Sequence, residues 1–249
     1  MIVDVIPTVK DLTPQKIYGK TAIVLDIFRC TSTIVTALAN GCKEIVPLRS
    51  TQEMESIAGK YQSNTTLTAG EHNGAKLLGF DLGNSPLEFT ESLVRDKTIL
   101  MVTTNGTDTI KSCKPAKHVL IGSLLNLGAA CSRATTYQTD ITIVCAGTSG
   151  NIALEDIMAA GNYVARLKKY YQEVRLSDPA RTFYYLYKYF QNNLSQILTT
   201  SRSGQNLRNL GYEQDIVFCL QESIYKIAPV FKNNSIQLNQ SNLCCSDMF

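Results

Sequence analysis

Two residues that could act on an anionic group follow the first apolar run of the chain. Asp26 comes directly after Thr21–Leu25, and Arg29 follows three residues later. A carboxylate at the end of a strand can hold Mg²⁺ or act as a nucleophile, and a guanidinium suits phosphate or carboxylate. The alternatives are that Asp26 caps a helix and that Arg29 forms a surface ion pair.

Two glycine-rich segments further along the chain carry more carboxylates. Gly70–Gly74 contains Glu71, and Gly79–Pro86 contains Asp81. Glycines at this density indicate unusual backbone angles or the close approach of a ligand. The alternative is that the segments form only a surface loop.

A third acidic pair, Glu155 and Asp156, follows a Gly/Thr/Ser stretch at Ala146–Asn151. We expect both in the first turn of a helix, where either could ligate a metal. Acidic residues there also interact favourably with the helix dipole and need no further role.

Several familiar phosphate motifs are missing from the sequence. There is no G-x-x-x-x-G-K-[ST] and no G-x-G-x-x-G motif. Phe28, and not a second aspartate, lies two residues after Asp26, which argues against the haloacid-dehalogenase type of phosphatase. The only histidines are His72 and His118, so a histidine-based mechanism is disfavoured.

The elements that must position these residues alternate between strands and helices. Apolar runs predict strands at Thr21–Leu25, Lys43–Leu48, Thr98–Val102, His118–Ile121 and Ile141–Cys145. Polar loops follow, and helices are predicted after Arg29–Thr33, at Leu124–Ala134 and at Ile152–Ala160, the last ending at Gly161. This order predicts an α/β fold with a largely parallel or mixed sheet. Ligands bind at the carboxyl ends of such strands, so we expect the loops to converge at one sheet edge on a compact anionic ligand.

The remainder of the chain is expected to be mainly helical. Helices are predicted at Tyr163–Tyr171 and Thr182–Leu198, a polar loop at Thr200–Gly211, and a helical turn or short strand at Ile216–Cys219. The stretches Ile23–Gly41 and Ile143–Gly161 resemble each other, which suggests an internal duplication of strand–loop–helix units. We expect a single domain over 1–249, with two intertwined halves, about 1–110 and 111–249, as the alternative.

Composition excludes several classes of protein. The 24 Lys and Arg against 21 Asp and Glu give a net charge of +3, too small a bias to indicate a nucleic-acid or membrane partner. The start of the chain does not resemble a secretory signal, so we expect a cytoplasmic protein. The eight cysteines show no metal-binding spacing, and we expect them to be reduced and mostly buried, with Cys244 and Cys245 on a tail.

Five segments in order resemble the 2-phosphosulfolactate phosphatase family. They are Leu25–Thr33 with Ala37–Gly41, Gly79–Pro86, Thr103–Thr107, Gly122–Asn126, and Val144–Thr148 with Leu154–Asp156. The resemblance covers roughly residues 1–230. It implies a three-layer α/β/α fold and Mg²⁺-dependent hydrolysis of 2-phospho-3-sulfolactate to 3-sulfolactate and phosphate, a reaction of coenzyme M biosynthesis. At Ser203-Gly204-Gln205 the sequence departs from the family, which tends to have His-Gly and a basic residue there.

These considerations together give a candidate site for a small anionic phosphomonoester with Mg²⁺ as cofactor. The expected catalytic residues are Asp26, Arg29, Glu71 and Asp156. The expected metal ligands are Asp26, Glu71, Asp81 and Asp156. The expected substrate-binding residues are Arg29, Thr31, Ser32, Thr33, Asn84, Ser85, Thr104, Asn105, Gly106, Thr107, Ser123, Gly147 and Thr148. A non-catalytic anion-binding or regulatory module, or a transferase or isomerase of phosphorylated acids, is the alternative, and a homodimer remains open.

Overall fold

The computed structural model describes residues 1–171 and 173–238, which form an α/β fold. Its strands are β1 (Ile2–Ile6), β2 (Thr21–Leu25), β3 (Glu44–Leu48), β4 (Thr66–His72), β5 (Ala75–Lys76), β6 (Thr98–Val102), β7 (His118–Gly122), β8 (Ile141–Cys145), β9 (Arg175–Leu176), β10 (Val230–Lys232) and β11 (Ser235–Gln237). Its helices are α1 (Pro14–Ile17), α2 (Cys30–Ala39), α3 (Thr51–Ala58), α4 (Glu91–Val94), α5 (Gly106–Ser112), α6 (Leu127–Thr136), α7 (Leu154–Tyr170), α8 (Asp178–Phe190), α9 (Leu194–Thr199), α10 (Arg202–Asn209) and α11 (Glu213–Cys219).

The strand β2 shows why the apolar runs become strands that are buried on both faces. Ala22 and Val24 lie in one hydrophobic cluster, whereas Ile23 and Leu25 lie in a second cluster on the opposite face. Successive side chains of a strand alternate between its faces, so every position of this run contacts apolar neighbours. β2 pairs in parallel with β7 on one side and β8 on the other, as is typical of strands buried on both faces.

The sheet consists of two parallel blocks that a short hairpin joins. The strand order in the described part of the chain is β5-β4-β6-β3-β11-β10-β7-β2-β8-β1-β9. One block contains β4, β6 and β3, and the other contains β7, β2, β8, β1 and β9. The hairpin strands β10 and β11 pair antiparallel with each other and with their neighbours β7 and β3. The sheet is therefore mixed, which agrees with the predicted largely parallel or mixed sheet. The antiparallel hairpin interrupts the parallel edge, so the loops of the two blocks do not follow one continuous edge of the sheet.

Helices cover both faces of this sheet and give three layers. Helices α2 and α5 pack on a face that both blocks share, in a cluster with residues of β2, β3, β6 and β7. On the other face, α6, α7 and α8 cover the block around β2, and α3 covers β3 and β6. Because α2 and α5 contact both blocks, they bring the loops after β2 and β6 together.

All five predicted strands are confirmed. Thr21–Leu25, Thr98–Val102 and Ile141–Cys145 coincide with β2, β6 and β8, and two further predictions differ from β3 and β7 by one residue. The predicted helix at Leu124–Ala134 is a 3-10 turn followed by α6. No helix in the described part of the chain is both long and apolar enough to span a bilayer.

Two predictions for the helices were wrong, at Gly161 and at Thr200–Gly211, and a third, at Thr182–Leu198, was right about helical structure but not about its bounds. Gly161 does not end a helix, because α7 continues through it to Tyr170. The predicted helix Thr182–Leu198 begins earlier, at Asp178, and is divided into α8 and α9 by a 3-10 turn at Gln191–Asn193. The predicted polar loop Thr200–Gly211 contains α10.

The two similar stretches of the sequence form β2 with α2 and β8 with α7. Their strands are neighbours in the sheet, but their helices lie on opposite faces, and the duplication stays a prediction. The strands of the two sequence halves are interleaved: β1 and β2 pair beside β8, and β11 pairs beside β3. The six cysteines in the described residues are buried, whereas Cys244 and Cys245 lie outside those residues.

Candidate active site

A cavity of about 670 Å³ opens where loops of both strand blocks meet. The loops that follow β2, β4, β6 and β8 form most of its wall, and α10 forms the rest. The lining residues are Asp26, Phe28, Arg29, Glu71, Asn73, Gly74, Asn84, Thr104, Asn105, Thr148, Ser149, Arg202, Ser203, Gln205, Asn206, Leu207 and Asn209. Its volume is typical of sites for small organic ligands.

Asp26 lines this cavity at the carboxyl end of β2. The backbone N–H of Cys30, in the first turn of α2, donates a hydrogen bond to its carboxylate. Burial, together with the nearby charges of Glu71 and Glu155, raises the pKa of Asp26 to about 7. Gly106 leaves room for the carboxylate, because a Cβ there would lie 2.6 Å from Asp26 Oδ2. Asp26 is therefore an acid whose ionised form lacks a sufficient counter-charge.

Glu71 occupies the end of β4 and ties two loops together. Its Oε2 accepts hydrogen bonds from the Gly74 backbone N–H at 2.6 Å and from Thr104 Oγ1 at 3.0 Å. Its Oε1 accepts the Thr104 backbone N–H at 2.7 Å. These bonds fix the loop after β4 against the loop after β6 and present the carboxylate to the cavity.

Arg29 is buried in a network that fixes its guanidinium. Nη1 donates to Asp215 Oδ2 at 2.6 Å, and Nη2 donates to the carbonyl oxygen of Gly74 at 2.6 Å. The guanidinium lies 4.3 Å from the centre of the Tyr212 ring, and the Ser85 hydroxyl donates to Asp215 Oδ1 at 2.6 Å. The charge of Arg29 is thus already balanced by Asp215, and its direction toward the cavity is set by three contacts.

The side-chain amides of Asn105 and Asn84, both in the cavity wall, differ in whether their oxygens have hydrogen-bond partners. Asn105 Oδ1 accepts the Ser149 backbone N–H at 3.1 Å. Asn84 is buried, and within the described residues its Oδ1 has no hydrogen-bond partner. A buried carbonyl oxygen without a partner is rare, and this one is available to accept a bond from a ligand in the cavity.

The side-chain hydroxyls at the start of α2 form hydrogen bonds with other groups of the protein. Thr31 Oγ1 bonds to the backbone of Asp26 at 3.0 Å, and Ser32 Oγ lies 2.9 Å from both the Ile27 carbonyl and Ser123 Oγ. Thr33 Oγ1 donates to the carbonyl oxygen of Asn84 at 2.8 Å. These side chains hold the loop after β2 in place and do not line the cavity.

The acidic pair at the start of α7 lies behind the cavity wall. Asp156 accepts the backbone N–H groups of Ile27 at 2.9 Å and Gly147 at 3.0 Å, and burial raises its pKa. Burial also raises the pKa of Glu155, against the effect of the Ser203 hydroxyl. Glu155 Oε2 has no partner among the described residues. Asp156 therefore positions the loops after β2 and β8.

Comparison with known proteins identifies the family. A family model described as 2-phosphosulpholactate phosphatase matches residues 7–234. The chain belongs to the 2-phosphosulfolactate phosphatase family. This confirms the resemblance that five sequence segments indicated.

Curated relatives match this phosphatase family member over nearly its whole length. A protein of Caldanaerobacter subterraneus subsp. tengcongensis named "Probable 2-phosphosulfolactate phosphatase" is 37% identical, covering 96% of this chain and 99% of the relative. Proteins with the same name from Clostridium beijerinckii and Thermotoga petrophila are 35% and 38% identical. They cover 95% and 89% of this chain, and 99% and 93% of their own lengths.

The candidate residues of this phosphatase family member divide into two groups. Those that line the cavity are Asp26, Arg29, Glu71, Asn84, Thr104, Asn105 and Thr148. Those that do not are Thr31, Ser32, Thr33, Asp81, Ser85, Gly106, Thr107, Ser123, Gly147 and Asp156. Asp81 is exposed and accepts hydrogen bonds at 2.8 Å from the backbone and side chain of Thr68, so it lies apart from the cavity carboxylates.

Sequence reasoning missed the contribution of the C-terminal helices. Helix α10 supplies Arg202, Ser203 and further polar residues to the wall, and α11 supplies Asp215 behind Arg29. The departure from the family pattern at Ser203-Gly204-Gln205 was the signal available for α10. Asp215 is 186 residues from Arg29 in sequence, so no local spacing could indicate their contact.

Proposed function

We propose that this protein is a phosphatase that hydrolyses 2-phospho-3-sulfolactate, or a closely related phosphorylated hydroxy acid, to the hydroxy acid and phosphate. Family membership and the printed names of its relatives support the reaction class. The observation that carries the proposal is the cavity, in which the carboxylate of Asp26 lies among polar groups fixed in direction. With a cation beside the carboxylates, the polar donors of this wall would suit a compact anionic ligand.

We further propose that Mg²⁺ binds beside Asp26 and Glu71. Both carboxylates line the cavity, and their like charges raise the pKa of Asp26. The unpartnered Oδ1 of Asn84 is a suitable neutral oxygen ligand. No group of three or more His, Cys, Asp and Glu side chains within the described ranges forms a ready-made cage. The support for Mg²⁺ is the pair of carboxylates in the cavity, since Mg²⁺ usually takes one or two carboxylates together with water and substrate oxygens. When bound, the ion would neutralise charge on the phosphoryl oxygens.

The chain's own groups would position and polarise the phosphoester. Arg29 would donate to phosphoryl oxygens from a direction set by Asp215 and Gly74. Thr104 and Asn105 would orient the substrate from the loop after β6. Hydrolysis breaks the bond between phosphorus and the ester oxygen, adds the elements of water, and leaves a proton on the alcohol. Asp26 would serve either as nucleophile or as the base for an attacking water.

The two alternative functions make different predictions from this one. A non-catalytic anion-binding module would bind the phosphoester without releasing phosphate. A transferase or an isomerase would convert the phosphoester into another product without releasing free phosphate. Cytoplasmic location, the absence of nucleic-acid and membrane partners, and a homodimer stay predictions from the sequence.

The test is phosphate release from 2-phospho-3-sulfolactate and from other phosphorylated hydroxy acids, with and without Mg²⁺. We expect turnover with Mg²⁺, and a loss of at least about a hundredfold after exhaustive EDTA treatment that added Mg²⁺ restores. Full activity in EDTA would exclude the proposed metal role. Binding of the phosphoester without phosphate release would exclude the phosphatase.

A further inference from the structure

Helix α10 forms one wall of the cavity and is held there by local contacts. Ser201 Oγ caps it by accepting the Gly204 backbone N–H at 3.0 Å, and Gln205 Nε2 donates to the Thr200 carbonyl at 2.8 Å. A Cβ on Gly204 would collide with the carbonyl oxygen of Leu198, so α10 packs directly against the end of α9. The wall therefore has a defined position, and its side chains face the cavity from a fixed backbone.

Contacts across the cavity connect α10 to loops of both strand blocks. Asn206 Nδ2 donates to the carbonyl oxygen of Asn73 at 3.0 Å. Ser203 Oγ lies 3.2 Å from Thr148 Oγ1. The helix thus contacts the loop after β4 and the loop after β8, and any ligand among these loops lies beside it.

The two cations of the cavity wall differ in their electrostatic state. Arg29 is buried, and its charge is balanced by the buried carboxylate of Asp215. Arg202 is exposed, and within residues 1–171 and 173–238 its side chain has neither a hydrogen bond nor an ion pair. A ligand with more than one anionic group therefore finds one positive charge on this wall that no group in the described part of the chain neutralises.

Burial also differs across the cavity. Asp26, Glu71 and Arg29 are buried, whereas Arg202 lies at the solvent-exposed side. The reacting phosphoryl group belongs with the buried polar groups, and the cavity is far larger than one phosphate. The remaining acidic group of the substrate would then extend toward α10.

We propose that Arg202 binds the acidic group of the substrate that is most remote from the phosphoester, the sulfonate of 2-phospho-3-sulfolactate, and so determines substrate preference. This inference rests on the proposed function and deepens it. A guanidinium can present two parallel N–H donors to the oxygens of such an anion. Arg202 is thus a specificity-determining residue that contacts substrate at a distance from the bond that breaks.

The test compares Arg202→Gln with the wild type on two substrates. One is 2-phospho-3-sulfolactate, and the other is 2-phospholactate, which has the same phosphoester and carboxylate but no sulfonate. Arg202→Gln should lower kcat/KM for the sulfonated substrate by roughly 10- to 100-fold, the range for losing a hydrogen bond between charged groups. It should leave kcat/KM for 2-phospholactate within about twofold. Arg202→Lys keeps the charge without the paired donors and should show a smaller loss.

Arg208→Gln is the matched control, because Arg208 lies on the same helix, is exposed and does not line the cavity. It should change neither value. Equal losses for both substrates, no loss, or the same loss in the control would overturn the assignment. Thermal unfolding of each variant checks that the fold is retained.

A binding measurement separates this inference from the proposed reaction. Calorimetric titration with 3-sulfolactate and with lactate requires no turnover. If the wild type hydrolyses neither substrate but binds 3-sulfolactate through Arg202, the phosphatase fails and the Arg202 assignment stands. If the wild type does not bind 3-sulfolactate, or binds it equally well without Arg202, the Arg202 assignment is overturned.

Discussion

At the level of single residues, the charged side chains of the cavity wall differ in whether an opposite charge lies beside them. The buried Arg29 is paired with Asp215, and removal of one partner from such a pair usually costs several kcal/mol because the other charge stays buried. Asp26 has neighbours of its own sign, and burial with Glu71 and Glu155 raises its pKa to about 7. The protein therefore stores unfavourable electrostatic energy at Asp26, which a cation or a protonated acid would relieve.

Replacement of Asp26 by Asn should separate catalysis from stability. The variant should lose roughly a hundredfold or more in kcat, the lower range for losing a positioned catalytic group. Asn caps a helix about as well as Asp, so a capping role alone predicts near-normal turnover. Steady-state phosphate release with Mg²⁺ decides between the two roles. A folded Asp26→Asn protein with near-normal kcat would remove Asp26 from the mechanism.

The same variant should change how stability depends on pH. In the folded state the pKa of Asp26 is raised from 3.8 to about 7, so the folded protein retains a proton that the unfolded chain has lost. That contribution is fully present below about pH 4 and disappears as pH rises through 7. At pH 8 Asp26→Asn should be the more stable protein, by up to about 4 kcal/mol for a shift of this size. Near pH 4 the two should agree.

Urea unfolding in EDTA at pH 4.5 and pH 8 measures this difference. Glu55→Gln is the control, since Glu55 is exposed on α3 and away from the cavity. A stability difference for Asp26→Asn that is the same at both pH values would contradict the assignment of the raised pKa.

At the level of helices, close packing explains why α7 contains a glycine, which the sequence alone suggested was a helix end. Gly161 suggests a helix end in the sequence, yet α7 continues through it. A Cβ at this position would collide with the Phe183 carbonyl oxygen and lie 2.6 Å from Tyr187 Cβ. The glycine is needed because α8 crosses α7 at that point, and the contact involves backbone that cannot move aside.

Gly161→Ala should therefore destabilise the protein by about 1–3 kcal/mol, the usual cost of overpacking. Helix propensity alone predicts the opposite sign, since Ala is favoured over Gly inside a helix. Urea unfolding measures the effect. Gly59→Ala is the control, because a Cβ at Gly59 meets nothing within 4 Å and its backbone angles are ordinary for Ala. If Gly161→Ala is as harmless as Gly59→Ala, the crossing of α7 and α8 is not tight.

The strands β2, β3, β6, β7 and β8 were predictable because their signal is local. A continuous apolar run such as Thr21–Leu25 needs two covered faces, and the parallel sheet supplies them. Helix α10 was not predictable in this way. Its Ser, Gln and Asn residues are typical of loops, but they line the cavity, while Leu207 is buried and Ser201 caps the helix. The polar loop after the first predicted strand indicated Asp26 and Arg29, and the glycine-rich segment Gly70–Gly74 indicated Glu71. Asp215 required the tertiary structure.

For the whole molecule, the C-terminal hairpin decides how the site is assembled. It pairs with β3 on one side and β7 on the other, and thereby joins the two parallel blocks. The loop after β2 belongs to one block, and the loops after β4 and β6 belong to the other. The sequence indicated convergence of these loops but not the hairpin, because β10 and β11 have three residues each.

Ile236 provides a test of this role. Its side chain is fully buried in the cluster that both blocks share, and it pairs with Ile45 of β3. Ile236→Ala should lower the free energy of unfolding by about 2–5 kcal/mol, the usual cost of this truncation in a core. Ile224→Ala is the control, because Ile224 is 43% exposed and should change stability by no more than about 0.5 kcal/mol.

Unfolding of the Ile236→Ala variant should remain a single transition. Urea titration followed by circular dichroism and by phosphate release would report on the blocks and on the site. Since the cavity needs loops from both blocks, the two signals should fall at the same urea concentration, below that of the wild type. Loss of activity well before loss of secondary structure would mean that the blocks separate while each stays folded. In that case the two blocks would unfold separately, and the hairpin would not join them into one cooperative unit.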